Sequence, residues 1–417
     1  MSFFIIGILI LLDVITFWGI KKTFPQFNSR HRKGIRNAFI IATVVSALIV
    51  LIGYILQHQV RNYRLFAWYY YLFGLVATIY IPKSLYAFFL IADRIIARPV
   101  RFLKSDRSRK PRHIVAKTGF WTSLFFAFLM IWGIVFGRYD FTVDQVDVVI
   151  DHLPPAFHGY KIVQLSDIHA GSFAGRTQRF QKVVDLINQQ DPNLIVFTGD
   201  LVNNFAEEAI PLIPIFSQLV ARDGKYAVLG NHDYGGYYNW KTPADSVANH
   251  KALEHAVEQM GFVLLNNQSV IIDPAVFPSS HRMALIGIEN WGIQKPYPKR
   301  SDLEKAMEPV RDIPFKLLLS HNPSFWPEHV EGKTDIALTL SGHTHGMQMG
   351  IRLGKKRFCP ISLLRQRYPY SVGLYRVGKQ YLYVNRGLGV IGFPGRIGMP
   401  PEITVITLQN NNVTATF

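Results

Sequence analysis

Cysteine is nearly absent from this sequence, which contains one, Cys359, among 417 residues. A single thiol cannot form an internal disulfide framework. We expect Cys359 to be a small buried side chain without a functional role. Internal repeats and low-complexity segments are lacking as well.

Acidic residues are scarce in the first third of the chain. Residues 1–137 contain 3 Asp and Glu against 18 Lys and Arg, which leaves 25 acidic and 27 basic residues in the remainder. The formal net charge of +17 therefore comes almost entirely from the first third. A catalytic domain that binds nucleic acid would carry the positive charge itself, so we expect no nucleic acid partner.

Long apolar runs, in contrast, fill the first third, and hydrophobic residues make up 49% of the chain. Four such runs lie at 2–20, 38–56, 65–92 and 120–136. Each is close to the roughly 20 residues that a helix needs to cross the hydrocarbon core of a bilayer. The sequence therefore predicts an all-α region of four transmembrane helices over residues 1–137 and a second domain over residues 138–417.

Single residues refine the interpretation of two runs. The first run has neither the basic N-terminal region nor the small-residue cleavage site of a signal peptide, so we expect a membrane helix. The third run contains Pro82 and Lys83. These residues predict a kinked helix and a charged side chain that reaches the membrane interface.

The loops between the runs differ in charge. The loops after the first and third runs are rich in Lys and Arg, whereas the loop after the second contains only Arg61 and Arg64. By the positive-inside rule both basic loops face the cytoplasm. We therefore expect a multi-pass protein of the plasma (inner) membrane whose second domain is extracytoplasmic. The alternative for the basic segment 104–112 is a docking patch for anionic lipid or nucleic acid.

From Tyr139 onward the chain alternates short apolar runs with glycine turns. Five β-rich runs end in polar residues that can bind metals: KIVQLSD (161–167), LIVFTGD (194–200), YAVLGNHD (226–233), FKLLLSHN (315–322) and IALTLSGHTH (336–345). A segment with helical spacing, QRFQKVVDLINQQ, separates the first two, and this spacing is typical of a βαβ unit. Because ligands collect at the carboxyl ends of strands in such sheets, we expect the polar ends to meet at one edge.

Eight polar side chains converge in this interpretation, namely Asp167, His169, Asp200, Asn231, His232, His321, His343 and His345. Residues i and i+2 of an extended chain lie on the same side. Asp167 with His169, and His343 with His345, are therefore predicted to form two-ligand pincers. A single histidine after a strand is usually a hydrogen-bonded core or surface residue, but that explanation does not cover seven metal-binding side chains behind five strands.

The donor types restrict the metal. Imidazole, carboxylate and amide oxygen together suit Mn, Fe or Zn better than Ca, which prefers oxygen donors. Seven donors exceed one tetrahedral site, so two divalent metal ions are predicted. Only Asp167 and Asp200 are anionic ligands, and the surplus charge of about +2 on two such ions would attract phosphate.

The order D-x-H, G-D, G-N-H-D, a lone His and G-H-x-H resembles the calcineurin-like metallophosphoesterases. All five motifs are present, as 167–169, 199–200, 230–233, His321 and 342–345. The similarity covers residues 155–408. It is greatest to the bacterial membrane-associated or exported branch of the family, as two segments indicate: LPPAFHGYKIVQLSDIH and YVNRGLGVIGFPGRIGMPPEITVITL. The four-helix region resembles that of transmembrane metallophosphoesterase proteins. Met347, in GMQMG, departs from the family, which often has GGQ there.

The resemblance implies an α/β fold, an αββα sandwich with a dinuclear metal centre. It implies the following ligands: Asp167, His169 and His345 for one ion, Asn231, His321 and His343 for the other, and Asp200 as the bridge. It also implies that His232 contacts the scissile phosphate and assists the leaving group, with Asp233 as its orienting partner. A metal-bridging hydroxide, formed near neutral pH, would then attack phosphorus in line.

Two further groups of residues have open roles. Arg386 and Arg396, in the tail, are candidates for substrate binding, because each could hold a second phosphate or a polar head group by bidentate hydrogen bonds. The alternative is that both tie the C-terminal strands together. The aromatic segment 234–240, YGGYYNW, is a candidate lip that faces lipid or sugar, or a cover for a satellite core.

The sequence thus predicts a membrane-anchored phosphoesterase with two Mn, Zn or Fe ions. We expect it to hydrolyse phosphodiester or pyrophosphate bonds of lipid-linked or envelope-derived substrates, with membrane lipid as a partner. One alternative is a hydrolase similar to UDP-2,3-diacylglucosamine pyrophosphatase of lipid A biosynthesis, which a reversed topology would favour. Another is a non-catalytic membrane sensor or scaffold with structural metals, against which the complete ligand set and His232 argue.

Overall fold

The computed structural model describes residues 2–59, 62–103, 113–173, 175–273, 281–292, 300–353, 356–358 and 369–411. Cys359 and the basic segment 104–112 lie outside the described residues. The chain forms two compact units. One contains residues 1–135 with 392–395, and the other contains residues 136–391 with 396–417.

The first unit contains the four predicted helices. They are α1 (Ser2–Thr23), α2 (Ser29–Gln59), α3 (Tyr63–Leu103) and α4 (Ile114–Val135). Each is long and apolar enough to cross a membrane. Large apolar side chains point outward from the helices, and Phe88 and Phe125 are 65% and 62% exposed. Such faces are expected where helices contact lipid rather than water, so the prediction of a four-helix membrane region is confirmed.

Two of the helices are longer than the apolar runs predicted. Helix α2 begins at Ser29, within the basic loop, and α3 continues for 41 residues without interruption at Pro82. A helix of this length spans about 60 Å, about twice the thickness of the hydrocarbon core. The polar ends of α2 and α3 therefore extend beyond the apolar layer, where charged residues remain hydrated.

An ion pair between Lys83 and Asp13 joins α3 to α1 inside the helical unit. The hydroxyl of Tyr80 donates a hydrogen bond of 2.8 Å to Asp13 Oδ2, and the hydroxyl of Thr43 on α2 donates to the same oxygen. The ammonium of Lys83 also lies 4.1 Å from the ring centroid of Phe39. The prediction that Lys83 reaches the membrane interface is therefore wrong, because its charge is paired within the bundle.

The second unit contains two six-stranded sheets. The first sheet has the order β1 (Thr142–Val149), β14 (Glu402–Gln409), β2 (Lys161–Leu165), β3 (Leu194–Phe197), β4 (Lys225–Ala227) and β5 (Val263–Leu264). The second has the order β12 (Gly373–Val377), β13 (Gln380–Val384), β9 (Leu338–Ser341), β8 (Phe315–Leu319), β7 (Met283–Gly287) and β6 (Gln268–Ile272). A separate hairpin joins β10 (Ile351–Leu353) to β11 (Lys356–Phe358).

The helices of this unit are short and connect the strands. They are α5 (Gln181–Asn188), α6 (Ile213–Phe216), α7 (Pro243–Gln259), α8 (Leu303–Met307) and α9 (Phe325–His329). Strands β2, β3, β4 and β5 are parallel, as are β7, β8, β9 and β13. Helix α5 lies between β2 and β3, as its apolar spacing predicted.

Three apolar clusters pack the sheets and helices of this unit into layers. Inward-facing residues of both sheets, such as Ile162 and Leu317, form one buried cluster. Val163, the next residue along β2, packs with α5 and α7 on the other face of the first sheet, because side chains alternate across a strand. Trp326 of α9 covers the outer face of the second sheet. This order of layers is the αββα sandwich that the resemblance implied.

Removal of the carboxylate at Asp13 should destabilise the helical unit. The variant Asp13→Ala leaves the Lys83 ammonium without its partner, and breaking a buried ion pair from one side costs about 3–5 kcal/mol. The double variant Asp13→Ala with Lys83→Met removes both charges and should recover most of that stability. Thermal unfolding of the detergent-solubilised protein, followed by size-exclusion chromatography after heating, measures the difference.

Lys22→Met is the matched control, since Lys22 is exposed at the end of α1 and its loss should leave the midpoint unchanged. Equal midpoints of thermal unfolding for the Asp13→Ala variant and the double variant would contradict a stabilising ion pair between Asp13 and Lys83.

Candidate metal centre

The predicted metal-binding residues of the second unit lie together at the carboxyl ends of its parallel strands. Asp167 and His169 follow β2, Asp200 follows β3, Asn231 and His232 follow β4, His321 follows β8, and His343 and His345 follow β9. All the predicted ligands except His343 are buried, and His343 is partly buried. Loops from both sheets therefore contribute to a single site.

One cluster of potential ligands consists of Asp167, His169 and His345. The Nε2 atoms of His169 and His345 are 3.1 Å apart. Nε2 of His345 also lies 3.2 Å from Oδ1 of Asp167. The three donor atoms thus face a common point.

A second cluster consists of Asp200, His321 and His343. Nε2 of His321 lies 3.2 Å from Oδ2 of Asp200 and 3.2 Å from Nδ1 of His343. The side-chain oxygen of Asn231 approaches the same nitrogen at 3.1 Å. Oδ2 of Asp200 is also 3.6 Å from Nε2 of His169, so this carboxylate lies between the two clusters.

These distances fit a divalent cation in each cluster. Two donors bound to one ion at about 2.1 Å, with angles between square and tetrahedral, lie about 3.0–3.4 Å apart. The closest contacts of both clusters fall within this range. Imidazole, carboxylate and amide oxygen together suit Mn, Fe or Zn. The residues present are therefore able to hold the pair of metal ions that the sequence predicted.

Backbone and side-chain acceptors fix which imidazole nitrogen faces each cluster. Nδ1 of His169 donates to Oδ1 of Asn203 at 3.0 Å, and Nδ1 of His321 donates to the carbonyl of Thr198 at 2.8 Å. These bonds place the proton of each neutral ring on Nδ1 and leave the lone pair of Nε2 for a cation.

Burial and neighbouring charges shift the pKa values in the site. Burial alone would raise the pKa of Asp200, but the imidazoles of His321 and His232 hold it well below its usual range. Burial lowers the pKa of His169 and, with the nearby His321, lowers the pKa of His343 to about 4. In His321 burial is outweighed by the charge of Asp200, and the pKa is raised to about 9. A cation must therefore displace a proton from His321.

Five of the predicted ligands have a left-handed backbone. Their φ angles are 51° at Asp167, 48° at His169, 60° at Asp200, 72° at His343 and 53° at His345. Such conformations cost non-glycine residues on the order of 1 kcal/mol or more each and occur mostly at functional sites. The backbone of the site is therefore strained in the conformation that brings the donors together.

The predicted pincers rested on an extended backbone, and that reasoning is wrong. Left-handed φ angles replace the extended conformation at all four residues. Asp167 and His169 still share a cluster, but His343 and His345 belong to different clusters. The histidines of the last motif therefore serve both clusters instead of one.

Two motif glycines are required by close packing around the carboxylates. A Cβ atom at Gly230 would lie 2.2 Å from Oδ1 of Asp200, and one at Gly342 would lie 2.3 Å from Oδ2 of Asp167. This proximity allows the amide of His232 to donate to Asp200 at 2.8 Å. The glycines thus let backbone amides hold the carboxylates.

His232 forms a further group of potential ligands with His169 and Asp200, and its Nδ1 donates to the carbonyl oxygen of Asn203 at 2.8 Å. Asp233 does not have the predicted role of orienting partner. Its fully buried carboxylate accepts hydrogen bonds from the backbone amides of Asp200, Leu201, Val202 and Gly230. Asp233 therefore orders the loop that carries Asp200, and a backbone carbonyl orients His232.

Arg386 and Arg396 are 1% exposed each and bind groups of the protein itself. Nη1 of Arg386 contacts the carboxylates of Asp144 at 3.0 Å and Glu402 at 2.9 Å. The guanidinium of Arg396 donates to the carbonyls of residues 386, 387, 389 and 399. Of the two roles left open, these contacts match the structural one, and we do not assign either residue to substrate.

Sequence reasoning missed Asn203 and Glu208. Asn203 contacts His169 through its side chain and His232 through its carbonyl. The carboxylate of Glu208 accepts backbone amides from residues 171, 203, 204 and 205, and so joins the loops after β2 and β3. The amide residue three positions after Asp200 was the available signal, but a backbone carbonyl has no signature in a sequence.

This fold and this cluster of His, Asp and Asn donors are characteristic of metal-dependent phosphoester hydrolases. Residues 160–347 match the family model "Calcineurin-like phosphoesterase". Residues 1–138 match the model "Probable Calcineurin-like phosphoesterase, transmembrane domain".

Similar proteins occur in bacteria and animals. The uncharacterised metallophosphoesterase YkuE of Bacillus subtilis is 33% identical over 62% of this chain and 82% of its own length. The "Transmembrane protein with metallophosphoesterase domain" of Danio rerio is 29% identical over 77% of this chain and 70% of its own length. The protein of the same description from Bos taurus is 32% identical over 64% and 57%. This chain belongs to the calcineurin-like phosphoesterase family and is a membrane-anchored phosphoesterase.

Metal binding near neutral pH should release about one proton per protein, because His321 must lose a proton before Nε2 can bind a cation. The pKa of His321 is raised to about 9, so the apparent affinity for Mn²⁺ should increase with pH until about pH 9 and decrease as the pH falls. Isothermal titration calorimetry of the metal-free protein, in buffers with different ionisation enthalpies, counts the protons released.

His321→Asn provides the comparison, since it retains an oxygen donor without a titrating ring. This variant should bind Mn²⁺ with no proton release. If the heat of Mn²⁺ binding to the wild-type protein did not depend on the buffer, the release of a proton from His321 would be contradicted.

Proposed function

We propose that the second unit binds two divalent metal ions and hydrolyses phosphodiester or pyrophosphate bonds of lipid-linked or envelope-derived molecules outside the cytoplasm. The observation that carries the proposal is the position of Asp200, whose Oδ2 lies 3.2 Å from His321 of one cluster and 3.6 Å from His169 of the other. A shared carboxylate between two sets of buried donors is typical of a paired metal site.

The ligand roles follow from this arrangement. We assign Asp167, His169 and His345 to one ion, Asn231, His321 and His343 to the other, and Asp200 to both. Manganese, zinc and iron all fit these donors. Ions bound there would supply a nucleophilic water at neutral pH and neutralise charge on the phosphoryl oxygens.

His232 is suited to donate a proton to the leaving group. Its Nδ1 proton is engaged by the carbonyl of Asn203, so Nε2 is the atom that can hold or donate a proton to a departing oxygen. Asp233 acts indirectly, since its carboxylate fixes the backbone amides of the loop after β3.

The substrate class and the orientation are supported by the first unit. The catalytic unit follows a fourth candidate span directly in the sequence, which keeps it at a membrane where lipid-linked substrates are concentrated. Lys and Arg are abundant between the first and second apolar runs and between the third and fourth, and the positive-inside rule favours the extracytoplasmic side for the catalytic unit.

Phosphoesterase activity should depend on Asp200. Purified full-length protein with Mn²⁺ is expected to hydrolyse bis-p-nitrophenyl phosphate and lipid pyrophosphates in detergent micelles, with higher kcat/KM for the lipid substrates. Asp200→Ala should lower kcat by at least about 100-fold, because it removes the donor shared by both ions. Release of p-nitrophenol and of inorganic or lipid phosphate measures the rates.

Asp185→Ala is the matched control, since Asp185 is an exposed carboxylate on α5 and should be dispensable. Full metal loading without product from any of these substrates would favour a sensor or scaffold instead. A preference for water-soluble substrates would contradict the lipid-linked class alone.

The orientation is testable through an introduced thiol at Asn411, which is exposed after β14. In a Cys359→Ser background, Asn411→Cys should react with a membrane-impermeant maleimide in intact cells. Lys33→Cys, in the basic first turns of α2, should react only after the cells are permeabilised. The opposite pattern would place the catalytic unit in the cytoplasm and favour a nucleotide-linked lipid A precursor as substrate.

A further inference from the structure

The half-exposed ring of Tyr237 contacts two residues of the candidate centre. Its ring stacks on the imidazole of His232, with centroids 4.2 Å apart and an angle of 20° between the planes. Its hydroxyl lies 2.9 Å from Nδ2 of Asn231. The side chain is 45% exposed, whereas Asn231 is 6% exposed. One surface residue thus touches both a proposed ligand and the proposed acid.

The contact with Asn231 holds its amide group in place, with Nδ2 at the hydroxyl of Tyr237 and Oδ1 on the side of His321. Only the carbonyl oxygen of an amide side chain can bind a cation, since the amino group carries two protons. Nδ2 donates to the hydroxyl of Tyr237, and Oδ1 is thereby directed to Nε2 of His321 at 3.1 Å. Without this hydroxyl, Nδ2 of Asn231 would lose this hydrogen bond, and the amide would be less firmly held in the position in which Oδ1 faces the ion.

The contact with His232 fixes the plane of the imidazole. The carbonyl of Asn203 holds one edge of the ring, and a hydrogen bond of this kind still allows the ring to tilt about it. The ring of His169 packs edge-on at 4.8 Å and 84°, and Tyr237 covers a face in parallel. The direction of Nε2 is therefore limited by rings in two different orientations.

The segment 234–240 contains three other aromatic residues, of which Tyr234 stacks on His250 with centroids 4.9 Å apart. Tyr238 and Trp240 pack against Phe205, with centroid distances of 4.9 and 5.8 Å, and against each other at 5.1 Å. These two form the packed cover of a small cluster. Tyr237 is distinguished by its contacts with the centre, so a general cover does not account for it.

We propose that Tyr237 is a positioning residue for both parts of the centre. Its hydroxyl directs the oxygen of Asn231 to one metal ion, and its ring sets the plane in which Nε2 of His232 reaches the leaving oxygen. This inference rests on the proposed function. The two contacts use different parts of the side chain, so two substitutions separate them.

The first test removes only the hydroxyl. Tyr237→Phe retains the stacked ring, and loss of a residue that orients a metal ligand lowers affinity by about 10-fold or more. Calorimetric titration of the metal-free protein with Mn²⁺ should show this loss in one of the two binding steps. Tyr238→Phe is the matched control and should bind Mn²⁺ as the wild type does.

The second test removes the ring. Tyr237→Leu should also impair proton donation by His232, which matters for an alkoxide leaving group and little for p-nitrophenolate. At saturating Mn²⁺, kcat for an alkyl phosphodiester is expected to fall about 10-fold more than kcat for bis-p-nitrophenyl phosphate. Tyr237→Phe should restore the wild-type ratio of the two rates.

Wild-type Mn²⁺ affinity in Tyr237→Phe would overturn the role of the hydroxyl, and an equal fall of both rates in Tyr237→Leu would overturn the role of the ring. Metal titration does not require turnover. A wild-type protein that binds Mn²⁺ but hydrolyses nothing would therefore reject the proposed activity, while the affinity of Tyr237→Phe would still decide the contact with Asn231.

Discussion

Lone pairs of nitrogen and oxygen atoms face one another at about 3.1 Å in the interior of the second unit, and such an arrangement is stable only with positive charge between them. In the metal-free protein the proton held by His321 supplies part of that charge. The left-handed backbone at five of the donors adds strain, which the surrounding sheets must support. Two opposed sheets with buried strands meet this requirement because their loops emerge from a rigid, close-packed base.

The support extends beyond the ligands through a small number of residues. Asn203 orients His169 with its side chain and His232 with its carbonyl, and Glu208 holds the amide of Asn203. Asp233 likewise accepts a hydrogen bond from the backbone amide of Asp200. Asp233 and Glu208 therefore act on backbone amides and hold the loops after β2 and β3 that carry His169 and Asp200.

Strands β2, β3, β4, β8 and β9 and the convergence of the metal-binding residues were predictable, because apolar runs that end in Asp, His or Asn recur along the chain. The αββα layers followed only from the family resemblance. The failures concern properties that a pattern of residue types does not encode. The roles of Asp233 and Asn203 depend on backbone atoms, the pincers depended on φ angles, and the burial of Arg386 and Arg396 depends on carbonyl groups from distant turns. Met347 illustrates the limit, since its residue type gives no sign of the left-handed φ of 52° that it adopts.

The ion pair between Asp13 and Lys83 has a consequence for biosynthesis. The two residues are 70 positions apart, so the carboxylate on α1 leaves the ribosome well before the ammonium that neutralises it. A lone carboxylate at the centre of a membrane helix costs about 2.5–3.5 kcal/mol during insertion. The first helix consequently gains the stability of this pair in lipid only when the third has been translated.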